Sequence, residues 1–177
     1  ALLKVMEEPP EGVLFLLTAD SLAGVLPTIR SRCVSFAIAP VSPADCARYC
    51  TAHGVDKKTA ALYSELFDGH IGTVLTAARD KARTEQVDEA MELARAAQAG
   101  DSYTAAVLLA PYEKDKAGAA ALLRDLRAVA AAGLQGSPHA PVQGQQAQRT
   151  LRLAEAAIQR LGAQVNPKIV LTVFAAR

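Results

Sequence analysis

The sequence predicts a mainly α-helical protein that begins with a short α/β segment. From residue 43 onward, periodic apolar stretches follow capping residues, with Ser42, Asp56, Asp101, Asp115 and Asn166 each standing ahead of one. Composition agrees: hydrophobic residues make up 51% of the 177 residues and aromatics only 5%, so alanine and leucine, both strong helix formers, dominate. Near the start, the unbroken apolar run Val13–Leu17 has the pattern of a strand buried on both faces. The length suits one good core, burying roughly 70% of the unfolded surface, or two smaller units in series.

The first element is an amphipathic helix with Leu2, Leu3 and Met6 facing inward. It is entered at Ala1 without methionine or cap, so the chain reads as a fragment of a longer protein. Pro9-Pro10 ends this helix, because proline removes a backbone donor and clashes with the preceding turn. A strand is then predicted over Gly12–Asp20 and a helical turn over Leu26–Arg30. The alternation of Val34, Phe36 and Ile38 predicts a second strand. One helix and two strands are too few for a stable sheet, so the remaining strands are expected from residues beyond this sequence.

Pro40 and Pro43 bracket a connector, after which Ser42 caps a helix over 43–53 with proline at its first position. Gly54 stops it, Asp56 caps a helix over 57–67, Gly69 ends that, and a third helix runs over 71–83. Beyond Thr84 the pattern is helical throughout, with Val87, Met91, Leu93 and Ala94 near a 3.6 period. Asp101 caps the next helix, Pro111 interrupts it, and Asp115 opens a long alanine-rich helix to about Ala132. The stretch 133–146 is a solvent-exposed loop, followed by a helix over 148–161 and a last helix opened by Asn166-Pro167. No internal repeat is visible.

A formal net charge of +1 gives no global reason to bind nucleic acid, so any such contact must be local. Cys33, Cys46 and Cys50 form no zinc pattern and read as reduced thiols of a cytoplasmic protein. The i, i+4 spacing of Cys46 and Cys50 fits either buried structural thiols or a two-thiolate half-site. No apolar run reaches the roughly 18 residues of a membrane span, so no membrane partner is expected. His53, His70 and His139 lack metal-site spacing, and no metal is expected. Glu7 and Glu8, at a helix end before two prolines, read as solvated charges.

Taken alone, Arg32 reads as a solvated arginine or the partner of a local carboxylate. The run ALLKVMEEPPEGVLFLLTAD, followed by LPTIRSRC at Leu26–Cys33 and a further apolar segment, resembles the clamp-loader branch of the AAA+ ATPases over about forty residues. That resemblance implies a fold: a truncated AAA+ α/β core remnant over 1–40 (helix plus two parallel strands), a three-helix lid over 41–83 and a C-terminal α-helical collar over 84–177. It also implies roles. Arg32, flanked by Ser31 and Cys33, would be an arginine finger reaching ATP bound by a neighbouring subunit, a task suited to a planar, always-charged guanidinium. Thr18 would stand at the sensor-1 position, although a strand-end hydroxyl satisfying the backbone is the alternative.

The stretch Asp68–Ala78 resembles the family's sensor-2 region. ATP-hydrolysing subunits carry an arginine there; this chain has Gly72 at the aligned position, and Arg79 falls two turns later. No phosphate-binding glycine loop occurs in the chain, so it would hold no cofactor of its own. The resemblance therefore implies an arginine-donating subunit that does not itself hydrolyse ATP, with a gamma/tau-type ATPase subunit as the alternative. Its partners would be other clamp-loader subunits, through lid and collar, with the sliding clamp and primed DNA in the assembled complex. From a different class, a helical interaction module without nucleotide chemistry would be favoured if residues 12–38 formed no adjacent parallel strands.

Overall fold

A computed structural model describes residues 2–19, 21–39 and 41–176, with the side chains of Leu2 and Leu3 outside the description. The chain divides into two compact units, Ala1–Ala39 and Pro40–Arg177.

In the first unit, α1 (Leu2–Glu7) ends before Pro9-Pro10, a 3-10 turn spans Leu22–Gly24, and α2 (Pro27–Arg30) carries proline in its first turn. The inward placement expected for Leu2 and Leu3 lies outside the described side chains, as do the end of the expected strand at Asp20 and the connector residue Pro40. The two predicted strands are not found. Residues 13–19 and 34–39 carry no regular secondary structure, and no strand occurs among the described residues. A strand exists only through a ladder of hydrogen bonds to a neighbour, and these segments form none with each other. Their side chains are correspondingly bare: Leu14 and Leu16 are 81% and 85% exposed, Phe36 and Ile38 84% and 94%.

The second unit is helical throughout. It comprises α3 (Pro43–Ala52), α4 (Lys57–Leu66), α5 (Ile71–Arg79), α6 (Lys81–Ala99), α7 (Ser102–Leu109), a 3-10 segment (Ala110–Lys114), α8 (Lys116–Leu134), α9 (Gly144–Gly162) and α10 (Pro167–Ala175). Short polar side chains start most of them by accepting otherwise orphaned backbone N–H bonds. The Ser42 hydroxyl accepts from Asp45 N at 3.1 Å, Asp56 from Lys58 and Thr59, Asp101 from Thr104, Asp115 from Gly118, and Asn166 from Lys168. The helix expected over 71–83 instead breaks at Asp80, whose carboxylate accepts from Ala82 N at 3.0 Å and Arg83 N at 3.4 Å and so opens α6. The helix expected from 148 already begins at Gly144.

One hydrophobic core runs through this unit from Cys46 to Ala175. Helix α8 is its centre, packed on both α6 and α9, with Leu122, Leu123, Leu126 and Val129 inaccessible or nearly so. Gly133 is required where α8 meets the following loop, because a Cβ there would stand 1.9 Å from the Val142 carbonyl oxygen. Cys46 and Cys50 are buried free thiols, and burial foremost, then the neighbouring Cys46, pushes the Cys50 thiol above its ordinary range.

Between α6 and α8 a paired charge enters the core. The Arg83 guanidinium grips Asp125 with both terminal nitrogens, Nη2 donating to Oδ1 at 2.6 Å and Nη1 to Oδ2, and Nη1 also donates to Gln86 Oε1 at 3.2 Å. The same guanidinium lies 5.7 Å from the centre of the Phe67 ring. Asp125 is 5% exposed, so this pair substitutes for water that the site excludes.

Candidate functional site

Helix α2 has a single turn, and Ser31 follows it as the C-terminal cap. The Ser31 hydroxyl donates to the Thr28 carbonyl at 3.1 Å, which fixes the turn leading into Arg32. The Arg32 side chain folds back over that turn. Its Nη1 donates to the same Thr28 carbonyl at 2.7 Å and lies 3.4 Å from the Ser31 hydroxyl, while Nη2 pairs with Glu7 Oε1 at the end of α1. The pair is open to solvent, with about a third of the Arg32 side chain and nearly half of Glu7 accessible (33% and 47%). A guanidinium has five N–H donors, so these contacts leave donors free for a further oxyanion.

The predicted site residues are therefore brought together only in part. Ser31 and Arg32 share the Thr28 carbonyl, and Cys33 follows them half-buried. Thr18 is exposed in the segment 13–19 and makes no hydrogen bond to Arg32 among the described residues. Gly72 lies in the second unit, in the first turn of α5; its carbonyl accepts from Thr76 Oγ1 at 2.9 Å, and the space where a side chain would stand is open. Arg79 is already engaged, donating to the His53 carbonyl at 2.7 Å. A carboxylate partner is one of the plain readings of Arg32 in the sequence, but not that the partner is Glu7, which there reads as a solvated charge. Twenty-five residues separate the two, and no local pattern links a helix end to a turn that far along the chain.

A second surface lies on the helical unit. Helices α7 and α10 and the intervening 3-10 segment enclose a groove of about 370 Å³ lined by Tyr103, Ala106, Leu109, Leu171 and Ala175, among others. Tyr103 in its lining is exposed, and elsewhere on α7 and α10 so are Val107 and Ile169, and Val173 partly. No group of three or more His, Cys, Asp or Glu side chains that could hold a metal ion occurs among the described residues, and no helix there is long and apolar enough to cross a membrane.

Residues 1–42 match a family model described as DNA polymerase III, delta subunit, which supports a relation to the clamp-loader-type subunits of that polymerase. The matched stretch contains Glu7, Thr18 and the Ser31-Arg32-Cys33 turn and covers less than half of the chain. No curated protein and no solved structure matches.

Proposed function

We propose that the chain is a delta-prime-type subunit of a bacterial DNA polymerase III clamp loader, hydrolysing no ATP itself and supplying Arg32 in trans to ATP bound by a neighbouring subunit. In this reading residues 1–40 are the end of the AAA+ core, 41–83 the lid and 84–177 the collar. Other clamp-loader subunits are its direct partners, with the sliding clamp and primed DNA in the assembled complex. The observation that carries the proposal is the family match across 1–42, which includes the Ser31-Arg32-Cys33 turn. The solvent-accessible guanidinium supports it, since a surface pair with Glu7 is weak enough to be exchanged for phosphate. Gly72 supports the arginine-donating type over a gamma/tau-type ATPase, because it offers no cation at the sensor-2 position.

One observation favours a second reading, a helical interaction module: residues 12–38 form no strands among those described. The two are separated by reconstituting a clamp loader with the full-length subunit carrying Arg32→Ala. The proposal expects assembly to be retained and DNA-stimulated ATPase to fall by about tenfold or more, as loss of a charge-stabilising finger requires. Arg32→Lys should be impaired as well, because a point charge does not reproduce the planar fork. Unchanged ATPase in both variants would leave the helical module as the better account.

A further inference from the structure

We propose that the outward face of α9 binds the phosphate backbone of nucleic acid. The net charge of +1 conceals a strong segregation: residues 116–177 contain eight Lys or Arg against only two acidic residues, Asp125 and Glu155. Asp125 is buried against Arg83, which leaves Glu155 as the only acidic counterweight in that stretch.

Helix α9 concentrates this excess on one side. Ala147, Thr150, Ala154, Ala157 and Leu161 face the core, and Arg149, Arg152 and Arg160 face solvent. None of these arginines enters an ion pair among the described residues. With a rise of about 1.5 Å per residue, Arg152 stands roughly 4.5 Å along the axis from Arg149, and Arg160 about 12 Å beyond it. A shallow groove of about 440 Å³ runs beside the first two, lined also by Gln145, Gln146, Gln148 and Leu153.

The composition of the face chooses between two classes of anionic partner. Its fully exposed positions hold arginine, glutamine, one glutamate and two glycines, and the one large apolar side chain at the groove, Leu153, is half-buried. A protein partner needs a desolvated apolar or aromatic centre to hold it. A nucleic-acid backbone needs only cations and amide donors along a track, and it gains affinity by releasing counterions. The surface lies in the second unit and owes nothing to the role of Arg32, so either proposal can fail without the other.

The test is fluorescence anisotropy of the 177-residue chain with a labelled, roughly 20-base oligonucleotide, single-stranded and duplex, at low and moderate salt. Binding at about 10⁻⁴ to 10⁻⁶ M is expected in low salt, and three phosphate contacts on duplex predict about fortyfold weakening between about 50 and 200 mM salt. Arg149→Glu, Arg152→Glu and Arg160→Glu combined should cost at least about tenfold, with helical content by circular dichroism unchanged because all three point away from the core. A control of equal charge change, Lys57→Glu, Lys58→Glu and Lys114→Glu, should stay within about twofold of the parent. Glu155→Gln alone should tighten binding by about twofold, which keeps the test open if the triple variant misfolds. Absence of binding at low salt, equal loss in the control, or equal competition by polyglutamate would overturn the proposal, the last in favour of an acidic protein partner.

Discussion

Arg83 and Arg32 each close on a carboxylate, in opposite surroundings. Arg83 meets Asp125 between two long helices and against an aromatic ring, with Asp125 shut off from water, Arg83 23% exposed and both carboxylate oxygens engaged. Arg32 meets Glu7 at the surface of the 1–39 unit, through one nitrogen, with solvent reaching both partners. The same contact is structural in the first place and exchangeable in the second. Desolvation makes the difference: a buried charge that loses its partner finds no water to replace it, whereas an exposed one does. An arginine that changes partners has to sit where exchange is cheap, and of these two pairs that of Arg32 meets the condition.

Removing one carboxylate from each pair tests the contrast directly. Asp125→Ala should destabilise the helical unit by about 1 to 3 kcal/mol, read from urea unfolding, because it removes both bonds of an Arg83 side chain that is only 23% exposed. Glu7→Ala should shift stability by no more than about 1 kcal/mol. Comparable costs for the two variants would erase the distinction on which the exchangeability of Arg32 rests.

The apolar side chains extend the contrast. Leu122→Ala, in the centre of α8, should cost about 2 to 5 kcal/mol, and Phe36→Ala, exposed in the first unit, less than about 0.5 kcal/mol. A loss above about 2 kcal/mol for Phe36→Ala would mean that residues 34–39 are packed in solution.

These regions also differ in what their sequence discloses. Helices satisfy their own backbone, so caps and a 3.6-residue period were enough to locate α3, α4 and α8, with Ser42, Asp56 and Asp115 performing the capping their positions suggested. The break at Asp80 was missed because Ile71 to Arg83 is helix-compatible throughout, and only the side-chain bonds of Asp80 show that a new helix starts there. Val13–Leu17 has the composition of a buried strand, but composition specifies a side chain's preference and not the presence of a neighbour to pair with. Arg32 was legible as a candidate through its motif. Its link to Glu7, like the link of Arg83 to Asp125, joins distant positions and leaves no local trace.

The collar reading sharpens the contrast within the helical unit itself. On α10, Val170 and Leu171 are buried, Leu171 lining the groove against α7, while Ile169 is exposed and Val173 partly so. Ile169→Asp and Val173→Asp should weaken association with partner subunits by about tenfold, measured by analytical ultracentrifugation of the reconstituted complex, while unfolding shifts by less than about 0.5 kcal/mol. Val170→Ala and Leu171→Ala should behave oppositely, losing stability first. If the exposed pair leaves association untouched, α10 is not a subunit contact.

The smallest expected effect is a pH dependence confined to one region. The Tyr112 hydroxyl donates to Glu89, and burial first, then that hydrogen bond and the negative charge of Glu89, pushes its pKa from 10 up to about 12. A folded-state pKa raised above the unfolded value means that the protonated form stabilises the fold. That contribution is complete below about pH 10 and is lost as pH rises from there through about 12. Tyr112 is only half-buried, so solvent screening limits the loss to about 1 kcal/mol or less. Tyr63, raised mainly by burial, adds a contribution of the same sign. Urea midpoints followed from about pH 9 upward should therefore fall in the parent and fall less steeply in Tyr112→Phe, with the remaining slope assigned to Tyr63. Residues 1–39 contain no tyrosine, and a fluorophore placed beside Phe36 should report no transition over the same range. An equal alkaline slope in parent and Tyr112→Phe would show that the Tyr112–Glu89 hydrogen bond contributes nothing to the difference between the two units.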